Sequence, residues 1–425
     1  MRHIFIILFA IVFIQSIHAQ NIITVKNQET GKEEEIDIPE SLRKDLDEKM
    51  QIWQIKNYVN KDETCKSTDS NPVVSDEIII DRLVRIPSVI EMPFNEAVRK
   101  FIDYYSSSLR TRVSYMLAAA NFYIPLFEEA LDLYNLPLEL KYLPIIESAL
   151  NPKAVSRQGA AGLWQFMIGT GKIYGLKTNS LVDERQDPVK STWAAVRYLK
   201  DLYDMYGDWN LVLASYNAGP GTINKAIKRS GGKTDYWEIY PYLPKETRGY
   251  VPGFIAANYI MTYYCEHGIC PMNAELPAQT DTIMVNKDIN LNQIAEVCNL
   301  DIDELRSLNP QYRRDVVPGK SDPSAIRLPN NTLSIFLANQ DSIISYQADK
   351  YLSKRQRVEI SENTTQWKKG KRNRATSGKA SYHKIRKGET LGGIANKYHT
   401  TVSNLRKLNG ITGNNIQAGK SIRVR

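Results

Sequence analysis

From Phe94 to about residue 275 the apolar side chains recur every three or four positions, a period that only packed α-helices satisfy. Phe94, Val98, Phe101, Ile102 and Tyr105 mark a first run; Tyr115, Leu117, Phe122, Phe127, Ala130, Leu131 and Leu133 mark a second. Few strand-like alternations precede residue 275. Pro137 and Pro144 punctuate the helices, and Pro144 is placed in the first turn of a short helical segment, where proline's missing N–H costs nothing. Helices are also expected over Pro188 to Tyr206, Leu211 to Asn217 and about Thr247 to Glu266, with Gly219-Pro220-Gly221 forcing a break.

Beyond Pro277 the texture changes, and two divergent copies of one small unit follow. The first runs through Ile283-Met284-Val285, Leu291 to Val297 and Asp303 to Pro310, closing at Ile326-Arg327-Leu328-Pro329. The second runs through His383 to Leu391, Ile394 to Tyr398 and Val402 to Gly410, closing at Ser421-Ile422-Arg423-Val424. Each reads strand, helix, helix, strand. Between them residues 335–378 are polar and basic, centred on Lys368-Lys369-Gly370-Lys371-Arg372, and read as a flexible tether. The expected fold class is therefore α+β multidomain. The domain map is 1–19 export signal, 20–94 helical lead-in (Leu42, Leu46, Met50, Trp53, Tyr58), 95–275 helical domain, 280–330 and 380–425 small modules, with 335–378 as linker.

Residues 1–19 combine Arg2 and His3, an apolar run from Ile4 to Ile14 and Ser16-Ile17-His18-Ala19, the pattern of a secretory signal cleaved after Ala19. The apolar run is short of the ~20 residues that a membrane span needs. The first cysteine is Cys65, so a lipid-anchored N-terminus is not expected. Export permits disulfides. Cys265 and Cys270 stand close enough to staple a helix end to the next turn; the rival reading is a metal site using His267, which lacks a second ligand pair. Cys65 and Cys298 show no pairing by inspection. Of the net charge of +8, residues 351–425 carry about +15 and the remainder about −7. In an exported chain such a tail points to a wall polymer or an anionic membrane surface rather than to nucleic acid.

The chemistry centres on Glu147, flanked by Ile145 and Ile146 before it and by Ala149 and Leu150 after it. Burial of such a turn desolvates the carboxyl, raises its pKa and makes it a proton donor near neutral pH. A small-residue loop, Gly159-Ala160-Ala161-Gly162-Leu163-Trp164-Gln165, follows at short range. Asp183, Glu184 and Asp187 could supply a second carboxylate, but they read as an acidic loop and helix start with Arg185 available to pair internally. Trp164 and Phe166 read as core or as a sugar-stacking wall, Ser148 as helix support or a site contact, and Trp193 and Trp209 as core.

Four ordered motifs give residues 95–275 a family resemblance. Glu147-Ser148, the loop ending Gly162-Leu163-Trp164-Gln165, Ala214-Ser215-Tyr216-Asn217-Ala218-Gly219 and Glu246-Thr247-Arg248-Gly249-Tyr250-Val251 resemble the motifs of lytic murein transglycosylases of glycoside hydrolase family 23, whose catalytic domain is lysozyme-like and mainly α-helical. The second small unit, with Gly388-Glu389-Thr390-Leu391, Ile394-Ala395 and Leu408-Asn409-Gly410, resembles the LysM domain, a βααβ module that binds N-acetylglucosamine-containing glycans. The first copy resembles it more loosely, with Lys287-Asp288-Ile289-Asn290-Leu291 in place of the Gly-Glu-Thr-Leu turn. Carrying such modules at the C-terminal end is similar to the membrane-bound type D members. Those relatives often carry a lipidated cysteine, and with Cys65 as the first cysteine none is expected here.

The resemblance implies that Glu147 protonates the bridging oxygen of the MurNAc–GlcNAc β-1,4 bond and then, as carboxylate, takes the proton of the muramoyl 6-hydroxyl as that oxygen attacks the anomeric carbon. The product is a 1,6-anhydromuramoyl end, and one acid suffices where ordinary glycoside hydrolysis needs two. It implies Ser148, Gln165, Phe166, Tyr216, Asn217 and Tyr250 as substrate-binding residues and peptidoglycan glycan strands as partner, with no nucleic acid, cofactor, metal or obligate protein partner, and peripheral association with membrane or wall.

Overall fold

In the computed structural model, residues 22–26, 31–43, 65–68, 70–272, 280–353, 382–385, 389–398, 400–411, 416–417 and 419–424 are described. The expected export signal lies outside them. Two compact units divide the chain, Met1–Gln366 and Trp367–Arg425.

The chain enters the fold as a hairpin. Strands β1 (Ile22–Lys26) and β2 (Glu33–Asp37) pair antiparallel, Ile23 opposite Ile36. Ile23, Val25 and Ile36 point inward, one face of a period-two pattern, and Ile38 and Leu42 behind them are wholly buried. This corrects the reading of 20–94 as helical: among its described residues the α-helix is α1 (Asp76–Arg85), and Leu46, Met50, Trp53 and Tyr58 lie outside them. The helical domain continues with α2 (Glu96–Ser106), α3 (Arg110–Leu133), α4 (Leu143–Ser148), α5 (Ile168–Ile173), α6 (Pro188–Tyr206), α7 (Trp209–Ala218), α8 (Pro220–Arg229), α9 (Tyr236–Ile239) and α10 (Lys245–Thr262).

Helix α10 is the axis. It is buried without a break from Gly249 to Met261, because α2, α7, α4 and the hairpin pack around it. The hairpin comes so close that a Cβ on Gly249 would stand 2.7 Å from both the Asp37 carbonyl oxygen and Ile36 Cγ2. Helix starts follow capping chemistry: Asn95, Asp187 and Asp208 each accept hydrogen bonds from backbone N–H groups of the turn they open. Trp193 and Trp209 are half-buried at the core's edge rather than inside it. Among the described residues no helix is long and apolar enough to cross a membrane.

Cys65 bonds to Cys270, not Cys265 to Cys270. The bridge ties the lead-in to the turn after α10, and Cys265 stands outside it with its Sγ 3.1 Å from that of Cys65. His267 contacts Asn71 Oδ1 at 3.0 Å and the Tyr259 hydroxyl at 3.1 Å through its two ring nitrogens, so the Cys-His-Cys string is spent on packing.

The first small module pairs β3 (Thr280–Val285) with β6 (Ser324–Pro329) and β4 (Asp288–Asn290) with β5 (Val316–Pro318), both antiparallel, around α11 (Leu291–Cys298) and α12 (Ile302–Leu308). It does not stop at residue 330. Helices α13 (Asn330–Ala338), α14 (Gln340–Ser345) and α15 (Ala348–Tyr351) fold back over it, burying Phe336 and Ile343 in its core. The expected tether at 335–378 is thereby corrected over its first part, since those two apolar residues reward packing; residues 354–378 lie outside the described ones.

The second module pairs β7 (Tyr382–Lys384) with β8 (Ser421–Arg423) around α16 (Leu391–Lys397) and α17 (Val402–Asn409). One asparagine makes the same three bonds in both copies. Asn309 Nδ2 donates to the carbonyls of Leu305 at 2.9 Å and Arg327 at 2.8 Å, while its Oδ1 accepts from Arg327 N at 2.8 Å. Asn409 does so with Leu405 at 2.8 Å and Arg423 at 2.8 Å, accepting from Arg423 N at 2.6 Å. In each, an Asn at the end of the second helix latches the closing strand.

Candidate active site

Helix α4 is six residues long and delivers Glu147 near its end. Pro144 occupies its first turn, and the chain leaves through two consecutive left-handed residues, Ala149 (φ 50°) and Leu150 (φ 59°). Both are 1% exposed or less, so tertiary packing holds a backbone that L-residues avoid, and it does so beside the acid.

Glu147 stands half-buried on the wall of a cleft of about 360 Å³. The Tyr250 hydroxyl, from α10, donates to Glu147 Oε1. Burial pushes the carboxyl up to about 8; the Tyr250 bond pulls the other way, and the charge of Glu246 adds a smaller upward push. The same burial and the Glu147 charge raise the Tyr250 and Tyr216 phenols well above their ordinary value, so both stay proton donors.

The loop from Gly159 to Phe166 forms the facing wall. Ala161 and Phe166 pair backbone to backbone at 3.1 Å, and Gln165 sits at φ 47° with its side-chain Nε2 donating to the carbonyls of Gly162 at 2.8 Å and Ala154 at 3.2 Å. Ser148 is buried away from the cleft. Its hydroxyl contacts the Leu163 carbonyl at 2.9 Å and that of Pro144 at 3.1 Å, tying α4 to the loop. Tyr216 donates to the Trp164 carbonyl at 2.8 Å, and Asn217 Oδ1 accepts from Thr247 Oγ1 at 3.0 Å, joining the end of α7 to the start of α10.

The fold thus brings Glu147, Gln165, Tyr216, Asn217 and Tyr250 to one cleft. It does not bring Phe166 there: that ring is 2% exposed, packed among Tyr174, Tyr198 and Tyr216 with centroids 6.3–6.5 Å away. Gln165 faces the cleft from its left-handed turn position, while Phe166, paired with Ala161 in a backbone bridge, sends its ring into the core. Asp183 and Glu184 also point elsewhere, Asp183 to Arg185 at 2.8 Å and Glu184 to Lys190 at 2.5 Å.

Sequence reading missed two other carboxylates of the cleft. Glu246 opens α10 and faces the cleft, exposed; its place in the Glu-Thr-Arg string was the available signal. Glu40 and Ser41 come from the turn after the hairpin, where nothing local announces them. Ser41 Oγ donates to the Ile146 carbonyl, next to the acid, and Glu40 Oε1 accepts from Arg157 N at 3.0 Å. Buried Arg112 donates to the Ser41 carbonyl at 2.9 Å and the Arg43 carbonyl at 3.1 Å, which fixes the backbone of this segment beside the cleft.

Family profiles match in three places: the transglycosylase SLT domain at residues 125–239, the LysM-like domain of lytic transglycosylase MltD at 279–345, and the LysM domain at 383–425. The chain is built from a transglycosylase SLT domain and two LysM-type modules. The SLT match encloses Glu147 and the loop of Gln165, and the MltD-type match runs through α13 and α14, the first two helices that fold back over the first module. Membrane-bound lytic murein transglycosylase D of Escherichia coli (strain K12) is 29% identical over 294 residues, 68% of this chain and 60% of its own length. The chain thus spans about three fifths of that relative. Soluble lytic murein transglycosylase of the same strain is 34% identical over 124 residues, 28% of this chain and 19% of its own length. Among solved structures, the 70 kDa soluble lytic transglycosylase of Escherichia coli aligns with 33% of this chain and 24% of its own, at 31% identity and a TM-score of 0.30.

Proposed function

We propose that the chain is a cell-envelope lytic transglycosylase that cleaves the MurNAc–GlcNAc β-1,4 bond of peptidoglycan without water, leaving 1,6-anhydromuramoyl ends. The observation that carries this reading is the Glu147 carboxyl, raised to about 8 and held by the Tyr250 hydroxyl on the wall of a cleft. Protonated at neutral pH, it donates to the bridging glycosidic oxygen. Once ionised, it keeps the Tyr250 hydrogen bond and accepts the proton of the muramoyl 6-hydroxyl, whose oxygen closes on the anomeric carbon. One group serves as acid and then base. Gln165, Tyr216 and Asn217 line the path of the sugar, with backbone and hydroxyl partners fixing each. Ser148 supports the acid from behind. The LysM-type modules hold the enzyme to glycan, raising the effective concentration of bonds near the cleft, and residues 1–19 serve export.

A hydrolytic reading is favoured by further carboxylates in the same cleft, Glu246 and Glu40. Digestion of purified sacculi separates the two. Mass spectrometry of the released fragments is expected to show anhydromuropeptides, 18 Da lighter than the reducing products that water would give. Reducing muramic acid ends alone would replace the lyase with a hydrolase.

A further inference from the structure

More than chain connectivity joins the first module to the helical domain. Val182 pairs with Tyr312 in an antiparallel bridge; Asp183 N donates to the Gln311 carbonyl at 2.9 Å and Arg313 N to the Leu181 carbonyl at 2.7 Å. Leu181 packs with Val316 and Leu352, and Val182 leans on the module's core. The seam therefore has both a backbone ladder and an apolar contact.

At its centre lies Asp183, fully buried. Its carboxylate accepts from Arg185 Nε at 2.9 Å and Nη2 at 2.8 Å, and from Arg313 Nη2 of the module at 2.5 Å. The remaining arm of Arg185 reaches the opposite way. Its Nη1 donates to the carbonyls of Gly159 at 2.7 Å and Phe166 at 2.9 Å, the two ends of the loop that carries Gln165. The backbone of Arg185 lies against the same loop, for a Cβ on Gly162 would fall 1.7 Å from the Arg185 carbonyl oxygen. One guanidinium thus holds the cleft loop on one side and the module's carboxylate partner on the other.

We propose that Arg313 is a positioning residue for the cleft, acting through Asp183 and Arg185 on the loop that presents Gln165. The first LysM-type module then buttresses the cleft in addition to any glycan contact it makes. This rests on reading the cleft as the reaction site. The physical reason is the anchoring of the fork. A carboxylate gripped by two guanidiniums is stiff, and Arg185 meets it through two parallel bonds. Without Arg313, Asp183 Oδ2 keeps one charged donor, water enters the seam, and Arg185 loses the fixed point from which it clamps both loop ends. Gln165, held at φ 47°, stays there only while its surroundings over-determine it.

Full-length R313A and R313K test the coupling beside the wild type. Hydrogen exchange of the amides from 159 to 166, several of them bonded within the loop, is expected to quicken about tenfold in R313A while the helix Trp209–Ala218 is unchanged. R313K, which keeps a cation for Asp183, is expected to restore most of the protection. Turnover of purified peptidoglycan is expected to fall about tenfold in kcat for R313A, with KM within about twofold. Unaltered exchange in the loop, a rise spread evenly over the helical domain, or a normal kcat despite a loosened loop would each overturn the proposal. The exchange measurement needs no activity. If the wild type released no anhydromuropeptide, the proposed function would fail, and the loop's response to R313A would still decide the coupling.

Discussion

Glu147 and Asp183 are two carboxylates of one domain, both taken out of bulk water, and the fold treats them oppositely. Asp183 sits between two guanidiniums; burial alone would raise its pKa, but Arg185 and Arg313 outweigh it and hold the group below its ordinary value. Glu147 has a neutral hydroxyl for its hydrogen-bond donor and a like charge, Glu246, as its neighbour, and among the described residues it makes no ion pair. The first is ionised permanently and serves as a bracket. The second can hold a proton at neutral pH and stands on the wall of the cleft. Burial disfavours the charged form of both, and the choice of neighbour decides whether the result is scaffold or acid.

Neutralising each carboxylate breaks the comparison most directly. Glu147→Gln keeps the shape and removes the proton, so turnover of sacculi is expected to fall about a thousandfold, with binding to sacculi retained in a sedimentation assay. Turnover within tenfold of wild type would take Glu147 out of the acid's role. The same variant has a stability signature. Because the folded carboxyl titrates at about 8 and its ordinary value is 4.5, the wild type binds a proton on folding between those values and loses stability as pH rises through that window. Glu147→Gln lacks that slope. Its advantage over wild type is expected to grow by roughly 1–2 kcal/mol between pH 5 and pH 9, after allowance for solvent screening.

Asp183→Asn leaves two guanidiniums facing one neutral amide in the seam. A loss of about 3–5 kcal/mol is expected in denaturant unfolding; a change under about 1 kcal/mol would mean that water satisfies them. Tyr250→Phe removes the donor that favours the ionised acid. Its turnover is expected to fall roughly tenfold, and the alkaline limb of the pH profile should move upward, because the lost hydrogen bond was lowering the pKa. A downward move would reverse that assignment. The smallest effect belongs to Glu246→Gln. Without the like charge the alkaline limb should drop by a fraction of a unit, with the rate at pH 6 within about threefold of wild type. A hundredfold loss there would make Glu246 a second catalytic carboxylate and favour hydrolysis.

Much of the helical domain was legible because its cue is local. The three-and-four spacing of Phe94 to Leu133, the helix-opening Pro144 and Pro188 and the break at Gly219 all act within a turn or two of chain, and the helices run where those residues place them. The hairpin escaped because each strand is five residues long and β2 begins Glu33-Glu34-Glu35, so the alternation that buries Ile36 has hardly begun when the strand ends. Helices α13 to α15 escaped because the partners of Phe336 and Ile343 lie in the module before them rather than along their own helices. In the cleft, Glu147 and the residues of the ordered motifs were visible, while Glu40 and Ser41 were not, since their place comes from Arg112 and the hairpin across the fold. Phe166 and Gln165 are neighbours of equal promise in one dimension, and the left-handed turn at Gln165 separates them.

By itself the sequence determined the helices of the 95–275 domain, the repeat of two small modules and the lone acid on an apolar turn, for these depend on spacing and side-chain chemistry along the chain. Tertiary structure alone decided which carboxylate keeps its proton, that Cys65 takes Cys270, and that a module three hundred residues along reaches back through Arg313 and Asp183 to the loop of Gln165. The physical reason is range. Helical period and turn chemistry act over a few residues, whereas desolvation, ion pairing and close packing depend on what the folded chain sets within a few ångströms, wherever in the sequence it comes from.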